Sequence, residues 1–190
     1  MPLYLEDIDN DAWNKLEVGA AAADSGFHFI TLGSIDEQGH PQARTLVLRR
    51  VDRMKCVLEF HTDVRSPKWL ALSAHPKATA LGYCNETRIQ LRLCGTVELH
   101  AQGSECAELA WEQLSDNTRK TYAGPAPGSD VVSNNYHGCN IDGSGKVNFG
   151  VIVLHINLLD WCLLARDNNQ RALLHYSAAG KLKNCKWVNP

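Results

Sequence analysis

The chain has 190 residues, 44% of them hydrophobic and 21% charged, with a formal net charge of -2. That length suits one domain, residues 1–190, burying roughly 70% of the surface its unfolded chain would expose, and the composition excludes a disordered chain. A balance so near neutrality gives no general attraction to nucleic acid, so an anionic ligand has to be met by a local cluster of cations. No apolar run approaches the roughly 20 residues of a spanning helix. The amino-terminal "MPLYLEDIDND" is acidic where a signal peptide is basic and then apolar, so a cytoplasmic protein without a membrane partner is expected. The seven cysteines form no paired CxxC spacing and read as free thiols. His137 and Cys139 in "NNYHGCN" lack a second ligand pair, so no metal site is assigned.

In chain order, "DNDAWNKLEVGAAAADSG" predicts a helix, with Trp13, Leu16 and Ala20 at helical spacing and Gly26 at its end. "FHFITLGSI", the connector "DEQGH" and "PQARTLVLRRV" predict a hairpin, and "KCVLEFHTD" a third strand. In "RSPKWLALSAHP", Ser66 suits a helix cap, Pro67 the first turn, and Pro76 the stop. "ATALGYC", "NET" and "RIQLRLCGTVELHA" repeat the strand, turn, strand pattern, and "SECAELAWEQLSD" predicts a capped helix. The Gly-, Pro-, Ser- and Asn-rich stretch 124–146 reads as a loop over a site or a linker. "VNFGVIVLHINLLDWCLLARD", "QRALLHY" and "KWVNP" return to strands. Antiparallel strands joined by short turns, with few helices between them, predict a mainly β fold with helical additions, a small barrel whose closure removes exposed edges.

The cations fall into a pattern on this frame. Alternation in "ARTLVLRR" puts Arg44, Leu46, Leu48 and Arg50 on one face and Thr45, Val47 and Arg49 on the other. The next strand ends at His61, Thr62 and Asp63, and the turn after it delivers Arg65, Ser66 and Lys68 at a helix amino terminus, where free amide hydrogens favour an anion. Arginine suits bidentate capture of phosphate oxygens and lysine adds a point charge, so a doubly charged guest is expected; solvated strand-end charges are the plainer alternative.

The succession "RTLVLRR", "FHTDVRSPK", "HPKATALGY", "QLRLCGTVE" and "DWCLLARDNNQRALLHY…WVNP", covering Phe27 to Pro190, resembles the FMN-binding split barrels of the pyridoxamine 5'-phosphate oxidase type. The resemblance implies an antiparallel split β-barrel and a homodimer with FMN at the subunit interface. It assigns Arg44, Thr45, Leu46, Val47, Leu48 and Arg49 to the strand along the flavin, His61 and Thr62 to the next strand end, and Ser66 and Lys68 to the phosphate turn. Pro67 stands where the family has an arginine, and Arg65 is expected to supply the lost charge. Gln90, Trp161 and Arg171 match the family's later flavin contacts, Ser133 and Asn134 fall near its middle-loop phosphate contact, and Arg119 matches an arginine that holds the substrate phosphate. The family's basic-x-His substrate grip is replaced by Asp167 and Asn169.

The resemblance therefore implies an FMN-dependent oxidoreductase acting on a small molecule other than the phosphorylated vitamin, with the flavin supplying the redox chemistry. A non-catalytic flavin or haem carrier on the same barrel is the alternative.

Overall fold

The computed structural model describes residues 4–130, 144–166 and 168–190. The strands are β1 (Phe29–Ile35), β2 (Pro41–Asp52), β3 (Val57–Asp63), β4 (Lys77–Cys84), β5 (Ile89–His100), β6 (Phe149–Leu163), β7 (Gln170–Tyr176) and β8 (Leu182–Val188). The α-helices are α1 (Leu5–Ala21), α2 (Pro67–Ala74), α3 (Glu105–Glu112) and α4 (Asp116–Thr121). All strand neighbours are antiparallel, in the order β3-β2-β1-β4-β5-β6-β7-β8, and a further pairing of β3 with β6 closes the first six into a barrel. The expected split barrel with helical additions is the fold observed.

One strand makes the closure possible. β6 is 15 residues long, and it pairs with β5 through Val151–Leu163, with β3 through Phe149–His155, and with β7 through Leu158–Leu163. The hand-over falls at Asn157, which the ladder to β5 skips where Cys94 and Gly95 shift register. Gly95 is required there, because a Cβ at this position would lie 2.0 Å from the His155 carbonyl oxygen. On β4 and β5 the alternation of burial is regular, so Ala78, Ala80, Leu91, Leu93 and Val97 point inward, as period-two patterning requires.

The two ends of the barrel are closed by different helices. α1 begins at Leu5, four residues before the sequence pattern placed it, and sets Ile8, Trp13 and Leu16 into the core beside Phe27 and Ile30. α2 closes the opposite end with Leu72. Outside the barrel, α3 and the short α4, which the sequence did not signal, cover β3 and β6 through Ala107, Ala110, Val151, Val153 and Phe149. Ser104 caps α3 as expected, accepting from the Ala107 amide at 3.2 Å. The six cysteines among the described residues are unpaired. Among the described residues, no helix is long and apolar enough to cross a membrane.

α1 is tied to the carboxy-terminal sheet by a polar chain. Trp13 Nε1 donates to Tyr176 Oη at 3.0 Å, and Tyr176 donates to Asp9 Oδ1 at 2.5 Å. Substituting Tyr176→Phe keeps the ring packing but leaves the buried indole N–H without its acceptor. A loss of about 1–3 kcal/mol in unfolding free energy is expected, read by urea denaturation at neutral pH.

Candidate functional site: an anion pocket at the barrel end

The turn between β3 and α2 has two polar sides, and they do different things. On the side facing the barrel end, Lys68 Nζ donates to Thr62 Oγ1 at 3.0 Å, and Thr62 and Ser66 bring their hydroxyls within 3.4 Å of each other. Both hydroxyl residues are buried. Ser66 holds the cap position of α2, but its hydroxyl donates to the Asp63 carbonyl at 2.6 Å rather than capping the helix, so it fixes the turn instead. Arg44 reaches the same region from β2, where Nη1 donates to Ser34 Oγ at 2.7 Å and to the Leu32 carbonyl at 3.2 Å.

Arg44 and Lys68 are thus two half-buried cations held near one another. Burial pushes the Lys68 ammonium below its ordinary range, and the charge of Arg44 pushes in the same direction, with Asp63 opposing. Burial likewise lowers Arg44. Like charges brought together in a partly desolvated place are unfavourable until an anion joins them, which is the electrostatic signature of a phosphate site. The amino terminus of α2 adds little, because Pro67 has no amide hydrogen and the Ser66 and Trp69 amides already donate to the Asp63 and Ser66 carbonyls. A cavity of about 250 Å³ lies beside Arg44, lined also by Asp36, Glu37, Gln42, Pro67 and Leu70, so Arg44 faces two carboxylates there and Lys68 is not part of its lining. A larger groove of about 650 Å³ opens where β1 and β4 part beyond the Gly33–Thr79 pair, and is lined by Gly33, Ala43, Thr79, Cys94 and Asn157. It shares Gln42 with the cavity beside Arg44, and both Arg44 and Lys68 lie outside it.

Arg65 turns the other way. Its Nε and Nη2 bind both carboxylate oxygens of Asp63, at 3.0 and 2.6 Å, and Nη2 also donates to the carbonyls of Gly124 at 3.0 Å and Tyr122 at 3.4 Å. The phosphate contact expected of Arg65 is not seen in this arrangement, because Nε and Nη2 are engaged by the neighbouring carboxylate and by the segment after α4.

Several other expectations change for reasons of register. β2 carries a bulge: Leu48 pairs with Phe60 and Arg50 with Glu59, so Arg49 is extra. Arg50 consequently faces outward rather than sharing the inner face of Leu48, and pairs with Glu59 at 2.8 Å. Burial alone would raise the Glu59 carboxyl, but hydrogen bonds with His61 and Arg50 hold it below its ordinary range. Leu46 and Leu48 point into the barrel, whereas Thr45 and Val47 lie on the outer surface of β2 with Arg49 exposed beside them.

His61 is not on the pocket side. Its ring packs edge-on against Phe149 with centroids 5.0 Å apart, Nε2 meets Glu59 at 3.3 Å, and Nδ1 is buried without a partner among the described residues. Trp161 is a core side chain, 2% exposed, and its Nε1 also has no partner among the described residues. Arg119 binds the carbonyls of Trp111 and Glu112 and sits 5.7 Å over the Trp111 ring, so it caps α3 and is not available as a substrate grip. Ser133, Asn134, His137, Cys139 and Asp167 lie outside the described residues.

Gln90 and Arg171 fall on a second surface. Both are cross-strand neighbours of Cys162. Arg171 grips Asp160 through Nε at 2.9 Å and Nη2 at 2.8 Å, and Arg92 binds the same carboxylate. In the closed ring of six, β2 and β5 are three places apart in either direction, so their outward side chains diverge. One ligand lying along the outside of β2 cannot also touch Gln90 or Arg171 of the same chain.

The sequence pattern of the pyridoxamine 5'-phosphate oxidase, FMN-binding domain family matches residues 10–101. A pyridoxine/pyridoxamine 5'-phosphate oxidase 2 from Arabidopsis thaliana is 29% identical over 194 residues, which cover 94% of this chain and 96% of that protein. The chain is similar in sequence to the pyridoxamine 5'-phosphate oxidases over nearly its whole length, and to that family's FMN-binding domain over its first half. A pyridoxine/pyridoxamine 5'-phosphate oxidase from Caulobacter vibrioides is 38% identical over 69 residues, 36% of this chain and 30% of that one. Among solved structures, a pyridoxamine 5'-phosphate oxidase-related, FMN-binding protein from Nostoc punctiforme superposes with a TM-score of 0.76 at 23% identity over the whole of both chains. PhzG from Burkholderia lata, solved in complex with tetrahydrophenazine-1-carboxylic acid, gives 0.73 at 15% identity over 100% of this chain and 94% of that one. These two likenesses carry the fold of this split-barrel protein.

The Asp160 pair gives a pH test. Burial would raise the Asp160 carboxyl, but the bonds from Arg171 and Arg92 outweigh it and hold the group below its ordinary 3.8. A depressed carboxyl contributes stability that is complete above the unfolded-state pKa and is lost as pH falls through the folded value. The stability difference between the natural chain and Asp160→Asn should therefore be constant above about pH 5 and shrink below about pH 4, measured by chemical denaturation across that range.

Proposed function

We propose that this chain binds FMN and acts as an FMN-dependent oxidoreductase on a small organic molecule, as a homodimer with the cofactor between subunits. The observation that carries the reading is that Arg44 and Lys68 are both partly buried and near enough for one charge to act on the other, with the Thr62 and Ser66 hydroxyls beside Lys68 and no carboxylate hydrogen-bonded to either cation among the described residues. A phosphate monoester supplies that charge and three oxygens for the donors. Arg44, Thr62, Ser66 and Lys68 would hold the phosphate, and Thr45, Val47 and Arg49 would lie along the rest of the cofactor.

The divergence of β2 and β5 supports the dimer: Gln90 and Arg171 serve a cofactor seated on β2 only if they come from a second copy. Phe29, Leu81 and Tyr83 are exposed apolar side chains on the outer face between these strands and suit burial against that copy. The bound flavin would supply the hydride and electron chemistry, and the protein its position and the charge around it. Arg49, exposed on β2 and without a side-chain partner among the described residues, would stabilise negative charge on the reduced ring. The substrate differs from a phosphorylated vitamin in this reading, because Arg119 is engaged in capping α3 and Asn169 stands where the family has a histidine.

Purified protein should carry, or be reconstituted to, a flavin absorbance spectrum, and anaerobic mixing with candidate donors should bleach it. Flavin that binds but is reduced by none of them points to a carrier, and a haem spectrum in place of flavin refutes the reading. Lys68→Ala and Arg44→Ala should each weaken FMN about 10- to 100-fold, since each removes a charge-assisted bond of about 1.5–3 kcal/mol. Riboflavin, which lacks the phosphate, should bind both variants as it binds the natural chain, as read by fluorescence quenching.

A further inference from the structure

We infer that Arg65 serves the anion pocket without touching the anion: by covering Asp63 it masks the carboxylate that borders Lys68, and thereby sets the charge the pocket offers to a phosphate. This inference rests on the FMN reading of the same pocket and names a residue that tunes it.

Asp63 sits between Thr62 and Ser66 in the turn, and its side chain is 8% exposed. Its carbonyl accepts from the Ser66 hydroxyl at 2.6 Å and from the Ser66 amide at 3.1 Å, so it cannot move away while the turn keeps its shape. Its charge is felt at Lys68, where it opposes the effects of burial and of Arg44. Left alone, this carboxylate would cancel half of the two positive charges that Arg44 and Lys68 present, and it would do so in a partly desolvated place where screening is weak.

Arg65 sets an opposite charge directly against it, so that only part of the Asp63 charge reaches Lys68. Both carboxylate oxygens are taken by its side chain, and the Arg65 amide adds a third bond to Oδ1 at 2.8 Å. The fork geometry of guanidinium on carboxylate holds the two charges together as a pair with little field outside it. The same Nη2 that binds Asp63 also donates to the Gly124 and Tyr122 carbonyls, so the aim of the guanidinium is set by two segments. Pro67, at the position where the family has an arginine, contributes no charge and instead meets the segment after α4, where a Cβ on Gly128 would lie 3.5 Å from Pro67 Cγ. The net charge of two comes from Arg44 and Lys68, with Asp63 and Arg65 cancelling each other beside them.

The test is a double-mutant cycle in FMN and riboflavin affinity, with Arg65→Ala, Asp63→Asn and the double variant. Masking predicts that Arg65→Ala weakens FMN about 10-fold with riboflavin unchanged, and that adding Asp63→Asn returns FMN affinity to within about 3-fold of the natural chain, because no carboxylate is left to mask. A direct Arg65–phosphate contact predicts instead that the double variant stays as weak as Arg65→Ala, and that result overturns the inference. Unchanged FMN affinity in Arg65→Ala, or an equal loss for riboflavin, overturns it as well. Should Arg65→Ala not fold, the double variant, which buries no unpaired charge, compared directly with the natural chain gives the same decision. If the natural chain binds no FMN at all, the function proposed above falls, and the same cycle read with inorganic phosphate decides the masking separately.

Discussion

The antiparallel pairing of β3 with β6 is the constraint on which the other features depend. Without it the strands would form an open sheet with β3 as an exposed edge, and the α3 and α4 side of β6 would not be joined to the turn after β3. The antiparallel pairing of β2 with β3 brings the end of β3 and the beginning of β2 to the same end of the closed barrel, and α2 is laid across that end. Lys68 then meets Arg44, although 24 residues separate them and neither lies in a motif with the other. The closure is possible because β6 is long enough to serve β3 with its first half and β7 with its second. The join needs a glycine opposite it, since the His155 carbonyl occupies the space of any side chain at residue 95.

The polar groups around this end are sorted by which side of one turn they occupy. Residues of the turn alternate between the pocket, which receives Thr62, Ser66 and Lys68, and the outer wall, which receives Asp63 and Arg65. The first set is short of negative charge and the second is balanced within itself. An anion site of this kind is stable only because most of its hydrogen-bonding groups already have protein partners: Ser66 on the Asp63 carbonyl, Arg44 on Ser34, and Lys68 on Thr62. What remains unsatisfied is charge, and charge is what a phosphate brings.

Much of this was legible in the chain itself. Alternating apolar residues announced β1 to β5, Ser104 announced α3, and Ser66-Pro67 announced α2, because periodicity and capping are local properties. The cations at the ends of β2 and β3 were visible as residue types. Their partners were not. Nothing local distinguishes Arg65, engaged by Asp63 two residues away and by carbonyls 57 and 59 residues on, from Lys68, which stays beside the pocket. The bulge at Arg49 escaped notice because a period of two carries no mark of an inserted residue, and it reversed the face assigned to Arg50. His61 and Trp161 matched family positions by type, yet one packs against Phe149 and the other lies in the core, since burial depends on the strands and helices that arrive from elsewhere.

The sequence by itself determined the elements, the antiparallel class and the supply of cations at two strand ends, together with a family pattern that runs in order along most of the chain. Only the tertiary structure decided which of those cations remain free for a ligand. Whether an arginine is a binding group or a brace depends on the nearest acceptor in space, and for Arg65, Arg119 and Arg171 that acceptor is supplied by protein. Arg44 and Lys68 have only hydroxyls and a carbonyl as hydrogen-bond partners among the described residues, which is why they, and not Arg65, are the cations assigned to the proposed anion.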